Sequence, residues 1–271
     1  MRYRDIAKTY LKSAEKELST GDDSRLKFAA LELRMTLEAL TYERAQLYKK
    51  ELTEKQIKIW QPRKLLTTLI DIDPFVDSSP TISFGIEGED GSPPEEMKLL
   101  GKETVISLKD IKNYYDRLSS YLHTPTIEQG MLKENSSPQR IRYRCEEIVS
   151  IMKDVVSSPI FNVDLRDKAS LNCYECGSEI VRTIPPSSNE LQVKCLQENC
   201  LASYIVKKLP DRQAHWEPMY DELPCSNPNC DEKQLTWKRE FALGVNWNCK
   251  KCRGHNRVSL GITFEPVSSE S

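Results

Sequence analysis

The stretch Asn172-Cys-Tyr-Glu-Cys-Gly-Ser-Glu-Ile180, with Cys195-Leu-Gln-Glu-Asn-Cys200 after it, has a counterpart in Cys225-Ser-Asn-Pro-Asn-Cys230 and Cys249-Lys-Lys-Cys252. Together they hold eight of the chain's nine cysteines. In each quartet a two-residue spacer and a four-residue spacer stand 18 residues apart, and the second quartet reverses the order of the first. A two-residue spacer lets one tight turn present two sulfurs to one ion, and the gap has room for a β-hairpin. Gly177, next to the first pair, suits a turn that needs positive φ. The spacing predicts two small four-cysteine zinc-ribbon β modules, one on Cys173, Cys176, Cys195 and Cys200 and one on Cys225, Cys230, Cys249 and Cys252. Sequential quartets are the simplest partition; pairing the two x4 pairs on one ion and the two x2 pairs on the other is the alternative. Four thiolates fill a tetrahedron, so these two zinc ions per chain are expected to be structural, with no catalytic metal. His255 is then a surface or supporting residue, and His215 has no partner pattern.

Outside this region the texture differs. The 271 residues fit roughly two domains of about 150 residues each. With 39 Lys+Arg against 41 Asp+Glu, a net charge of -2 gives no global basic excess, so any nucleic-acid contact must come from a local patch. No run approaches the roughly 18 apolar residues of a membrane span, and the first residues lack the apolar core of a secretory signal. A cytoplasmic protein with no membrane partner is the expectation, which favours metal ligation over disulfides. Around the second knuckle, Lys250, Lys251, Arg253 and Arg257 interleave with Trp237, Phe241 and Trp247, a pattern that can bind phosphates and stack bases. Aromatics that merely cover a small hairpin are the alternative.

The first 156 residues read as helical. Helices are expected over Arg2–Ser19 and Asp23–Lys50, with Gly21 as the break and Asp22 or Asp23 as cap. Leu26, Ala30, Leu33, Leu37, Leu40 and Leu47 form one stripe that only Arg44 interrupts. Thr53 and Gln56 can make a capping box, and Pro62 suits the first turn of a helix through Ile70. The Pro- and Gly-rich residues 71–104 read as a functional or mobile loop of open shape. Ser107 and Asp110 start a helix with an apolar stripe of Leu108, Ile111, Tyr115, Leu118 and Leu122, running to His123 and stopped by Thr124-Pro125. A last helix over Gln139–Val156 buries Ile141, Ile148, Ile151, Met152 and Val155, with Cys145 as a small core residue. The domain boundaries follow: a helical region at 1–156, a linker at 157–170, ribbons at 171–209 and 210–265, and a tail at 266–271.

At 100° per residue, Arg117 and His123 lie on the two shoulders of the helix that buries Leu118, with Asn113, Asp116 and Ser120 between them. They are about 120° apart on a straight helix, so a distorted helix end or a second copy is needed to bring both to one atom. A solvated helix face is the plain alternative. Arg34 and Glu38, one turn apart, read as a structural ion pair.

The stretch Tyr114-Tyr-Asp-Arg-Leu-Ser-Ser-Tyr-Leu-His-Thr-Pro125, with Leu31-Glu-Leu-Arg-Met-Thr-Leu-Glu-Ala-Leu40 and Pro62-Arg-Lys-Leu-Leu66, resembles the HEPN superfamily over roughly residues 1–155. The ribonuclease members of that superfamily carry Arg, four to six residues, then His; Arg117 and His123 are separated by five. The resemblance implies a mainly α chain, an N-terminal helical bundle followed by the two ribbons. It also implies a homodimer in which two Arg/His helices form one composite site for metal-independent RNA cleavage. In that chemistry Arg117 stabilises charge and His123 exchanges the proton, while Asn113, Asp116 and Ser120 are geometric candidates for support. The setting in which such proteins occur implies a toxin or antiphage-defence effector, with the ribbons recognising RNA (tRNA or mRNA) or a protein trigger. Two other classes stay open: a non-catalytic adaptor or regulator that binds nucleic acid or protein, and a scaffold whose Arg/His face is only a dimer seam.

Overall fold

The computed structural model describes residues 2–124, 137–185, 188–210 and 213–260. The chain splits into two compact units, Met1–Asp167 and Lys168–Ser271. Pro125, the polar stretch up to residue 136, and residues 261–271, which include the expected tail, lie outside the described residues.

In the first unit, α1 (Tyr3–Ser19) buries Arg4, Ala7, Leu11 and Ala14, one stripe at helical spacing. Gly21 takes the positive φ, +71°, that ends it, and the Asp22 carboxylate caps a 3₁₀ turn at Asp23–Arg25 by accepting the Ser24 N–H at 2.8 Å. The expected second helix is therefore divided: the 3₁₀ turn leads into α2 (Leu26–Gln46). Leu26, Ala30, Leu33, Leu37 and Leu40 are buried as the stripe predicts, but so are Ala29, Thr36, Ala39 and Ala45 around it. The small residues explain this, because they let neighbours approach α2 from several sides. Thr53 and Gln56 form the expected reciprocal capping box at the short α3 (Glu54–Ile57). Next, α4 (Pro62–Ile72) starts on its proline and buries Leu65, Leu66, Leu69 and Ile72. Ser107 caps α5 (Leu108–Leu122), and Ser137 caps α6 (Pro138–Val156), which buries Cys145, Ile148, Val149, Met152 and Val155. Helices α1, α4, α5 and α6 all pack on α2, which is the centre of the unit.

The expectation of a mainly α chain with an N-terminal helical bundle is overturned. Of the described residues 37% are helical and 21% are in strands, as six helices and several small antiparallel sheets. Part of the strand content lies inside the first unit, at the residues 71–104 that read as a loop: β1 (Thr81–Phe84) and β2 (Lys98–Lys102) form an antiparallel hairpin with a register shift between Ile82 and Ser83. Proline and glycine between the strands hide them from sequence reasoning. The base of this hairpin is held by a buried ion pair: Arg44, the residue that breaks the apolar stripe, meets Glu103 at 3.0 Å. Asn162 donates its backbone N–H to the same carboxylate at 3.0 Å and its side-chain amide to the Glu43 carbonyl at 2.7 Å. Arg166 binds the buried Asp73, whose carboxylate also accepts the Tyr48 hydroxyl. The segment after α6, expected as a linker, is thus pinned to the helices nearly to the unit boundary.

The second unit holds four short hairpins. They are β3 (Lys168–Asn172) with β4 (Glu179–Thr183), β5 (Glu190–Lys194) with β6 (Ser203–Lys208), β8 (Tyr220–Pro224) with β9 (Lys233–Trp237), and β10 (Asn246–Asn248) with β11 (His255–Arg257). β7 (Ala214–Pro218), within the range expected for the second ribbon, pairs instead with β6 and completes a three-stranded sheet. Its core gathers Ile180, Val193, Ala202, Tyr204, Val206, Trp216 and Trp237 around three of the cysteines. Tyr204 meets Trp216 edge-on at 5.9 Å and Trp237 at 5.5 Å, the offset geometry that aromatic quadrupoles favour. Among the described residues, no helix is long and apolar enough to cross a membrane.

Candidate functional site

Each cysteine pair occupies the tip of one hairpin. The x2 pairs join β3 to β4 and β10 to β11; the x4 pairs join β5 to β6 and β8 to β9. The backbone contacts repeat from one module to the other. Cys173 N–H donates to the Ser178 carbonyl at 2.8 Å and Cys249 N–H to the Gly254 carbonyl at 2.9 Å; Cys195 and Cys225 each donate seven residues ahead, to Ala202 and Glu232, at 2.9 Å. The residue after each x2 pair has positive φ: Gly177 at +72° and Arg253 at +57°. Glycine adopts this at no steric cost, whereas arginine does so against its Cβ.

The eight sulfurs fall into two sequential groups, Cys173, Cys176, Cys195, Cys200 and Cys225, Cys230, Cys249, Cys252, with ligand atoms all within 4.8 Å of one another in each. The closest approaches correspond as well. Cys173–Cys200 and Cys176–Cys195 are 3.7 Å apart; Cys230–Cys249 is 3.7 Å and Cys225–Cys252 3.6 Å. A disulfide needs about 2.05 Å. A regular tetrahedron with metal–sulfur bonds of about 2.3 Å has edges of about 3.8 Å, which these distances match. Two groups of four cysteines therefore stand at metal-binding distance, and the donor set fits a thiophilic cation. The N–H of Gly254 and the side chain of Asn227 draw the Cys252 thiol from 9.0 down to about 6, while burial pushes Cys195 up to about 11. A cation that favours thiolate over thiol resolves this imbalance.

Sequence reasoning misses the residues that brace the sulfurs. Tyr204 accepts the Tyr174 N–H at 2.9 Å and donates its hydroxyl to Cys173 Sγ at 3.4 Å. In the second module the buried Asn256 does the bracing, its carbonyl oxygen accepting the Ser226 N–H at 2.7 Å and hydroxyl at 2.6 Å. Asn256 occupies the position, four after the last x2 cysteine, that Ile180 fills in the first module; comparing the two quartets position by position would have exposed it. His255 faces Asn248 at 3.1 Å, and His215 is exposed on β7; neither belongs to a sulfur group.

The basic residues of the second knuckle are placed less favourably than the sequence pattern implies. Lys250, Arg253 and Arg257 are exposed, but Lys251 is ion-paired with Asp231. Trp237, one of the aromatics expected beside them, is buried and donates its indole N–H to Glu175 at 3.0 Å. Phe241 remains exposed.

On α5, Leu118 is fully buried while Asn113, Asp116, Arg117 and Ser120 are exposed, so the polar face exists as predicted. The helix ends one residue earlier than expected: His123 has φ -96° and ψ 153°, extended backbone, and is exposed. Its direction is thus no longer fixed by the helical step from Arg117. Among the described residues neither the Arg117 guanidinium nor the His123 imidazole has an ion pair or hydrogen bond, and one copy of the chain places no bond between them. Ser120 donates its hydroxyl to the Arg117 carbonyl at 2.7 Å and so faces its own helix. Arg34 and Glu38 form an ion pair at 3.5 Å that also engages the Tyr115 hydroxyl of α5. Comparisons of the chain with protein-family models, with curated proteins and with solved structures give no match.

Proposed function

We propose that the chain is a metal-independent endoribonuclease of the toxin or antiphage type. Arg117 and His123 from two copies form one composite site, and the four-cysteine modules bind zinc and serve recognition of RNA or of a trigger. The observation that carries this reading is the pair of cationic and imidazole side chains, Arg117 and His123, exposed towards the C-terminal end of α5 and without an ion pair or hydrogen bond among the described residues. Groups recruited for stability find partners, as Arg4, Arg44 and Arg166 do in this unit. Leu118, the residue after the arginine, is a core position of α5 and takes nothing from the polar face.

The chemistry needs no metal. The ribose 2′-oxygen forms a bond to the adjacent phosphorus as its proton passes to one imidazole; the P–O5′ bond breaks and O5′ takes a proton from the other, leaving a 2′,3′-cyclic phosphate and a 5′-hydroxyl. Guanidinium matches the charge that gathers on the phosphorane oxygens. Zinc fits the closed four-thiolate groups as a structural ion, since they leave no open position for substrate.

The test is cleavage of a mixed tRNA and mRNA pool by the purified protein without divalent metal, comparing wild type with His123→Ala. Wild-type cleavage to 2′,3′-cyclic termini, abolished in the variant with metal content and oligomeric state unchanged, is the expected result. A second reading, a non-catalytic RNA or protein adaptor, is favoured by the lack of a hydrogen bond between Arg117 and His123 within one copy; it predicts cleavage by neither protein.

A further inference from the structure

The chain's overall charge is -2, yet residues 49–64 carry six Lys/Arg against two Glu, a local charge of +4. Lys49, Lys50, Lys58, Arg63 and Lys64 are all exposed, and none of these five has an ion pair among the described residues. The same segment exposes Trp60 and Ile57, at 60% and 47%. It borders a cleft of about 230 Å³. Leu52, Ile57 and the Tyr3 and Tyr42 side chains line it together with the polar Gln46 and Lys49. The two rings are 5.4 Å apart and tilted by 46°.

Each feature selects for the same chemistry. The volume is below the roughly 300–1,000 Å³ of sites that enclose a drug-sized ligand, so the cleft takes one ring system and leaves the rest of its ligand outside. Phenol rings offer a π face to a planar heterocycle, and the Gln46 amide offers both a donor and an acceptor to its edge. Burial pushes the Tyr42 phenol above its ordinary range, so it stays neutral and able to donate. Lys49 at the cleft, with the other exposed cations of residues 49–64 in the same segment, supplies the counter-charge for a phosphate held outside.

We propose that this cleft, between α1, the end of α2 and the α3–α4 segment, is a nucleotide-binding site that takes the base against the packed Tyr3 and Tyr42 rings and Ile57, and the attached phosphate at Lys49, which lines the cleft, with the charge of Lys58, next in sequence to Ile57, in support. The ligand is a nucleobase carrying a phosphate, supplied either by single-stranded RNA or by a free mononucleotide. The site is on a different element from Arg117 and His123 and stands whether or not those residues cleave RNA.

The test uses the whole 271-residue chain, metal-loaded, with three probes: a fluorescein-labelled eight-nucleotide oligouridylate, the four nucleoside 5′-monophosphates, and ribose 5-phosphate as the probe without a base. The variant is the double charge reversal Lys49→Glu/Lys58→Glu, at two exposed positions, with unchanged far-UV circular dichroism required of it. Saturable binding that the variant weakens at least tenfold is expected, with the salt slope for the oligomer falling by about 0.7 for the one phosphate no longer neutralised. If monophosphates bind and displace the oligomer, a free nucleotide suffices; if only the oligomer binds, RNA is the source. No binding of oligomer or monophosphates, equal binding by the variant, or displacement by ribose 5-phosphate as effective as by UMP overturns the proposal. His123→Ala is expected to bind like wild type, so loss of cleavage and loss of this site read out separately.

Discussion

Removing the Glu103 carboxylate should be among the most damaging single changes in the first unit. Its side chain is 5% exposed and that of Arg44 10%, with nitrogen and oxygen 3.0 Å apart. In Glu103→Ala the Arg44 guanidinium stays buried without its counter-ion, and the Asn162 N–H is left without its acceptor. Breaking one side of a buried pair costs about 3–5 kcal/mol, most of it desolvation of the charge left behind. With a urea m-value of about 2 kcal/mol/M, the midpoint should fall by about 1.5–2.5 M. The double replacement Arg44→Leu/Glu103→Leu removes both charges and should recover most of that loss. The assay is urea unfolding followed at 222 nm, the helical signal, on wild type, Glu103→Ala, the single variants Arg44→Leu and Glu103→Leu, and the double. A cost below about 1 kcal/mol for Glu103→Ala, or additive losses in the double variant, would refute the reasoning, since a coupled pair must give a non-additive cycle.

The two x2 knuckles make a matched experiment. Gly177→Ala should cost about 1–2 kcal/mol because an L side chain is strained at that φ although no atom crowds its Cβ, while Arg253→Gly should stabilise its module by a comparable or smaller amount; thermal unfolding of metal-loaded protein gives the two signs. Burial and the Asp73 carboxylate push the Tyr48 phenol far up. Above about pH 10 the unfolded chain then binds fewer protons than the folded one, so stability falls as pH rises, by up to about 1.4 kcal/mol per pH unit for this group. Tyr48→Phe should flatten that alkaline limb of the stability curve. Burial also pushes the Cys145 thiol up to about 12, so with both cysteine quartets metal-filled an alkylating reagent at pH 8 should leave Cys145 unlabelled until the protein unfolds, as peptide mass analysis will show.

Features encoded locally are legible in the sequence. The caps at Thr53 and Ser107, the helix start at Pro62, the apolar stripe of α2 and the sulfur spacings depend on residues within a turn or a hairpin of one another. What escapes depends on distant partners. Arg44 looks like an interruption because its counter-ion lies 59 residues away, beyond a hairpin hidden by proline and glycine. Trp237 reads as a base-stacking candidate from its basic neighbours, yet Tyr204 and Tyr220, on other strands, claim it for the core. Conversely, the cleft beside Lys49 draws Tyr3, Tyr42 and Leu65 from three helices, and no spacing rule connects them.

The sequential partition of the sulfurs bears on how the chain is made. Each group closes over 27 residues, and the first is complete at Cys200, before Cys225 has been added to the growing chain. Short closures are entropically cheap relative to crossed ones, so the first hairpin pair can capture its ion during synthesis and take its four thiolates out of competition before the second set exists. Had the pairs been interleaved, neither site could have filled until the second set of cysteines emerged, and the earlier thiols would have stood open to oxidation and mispairing throughout. Ordering along the chain thus permits a loading schedule, one ion and then the other, in which the first four sulfurs need not wait for the second four.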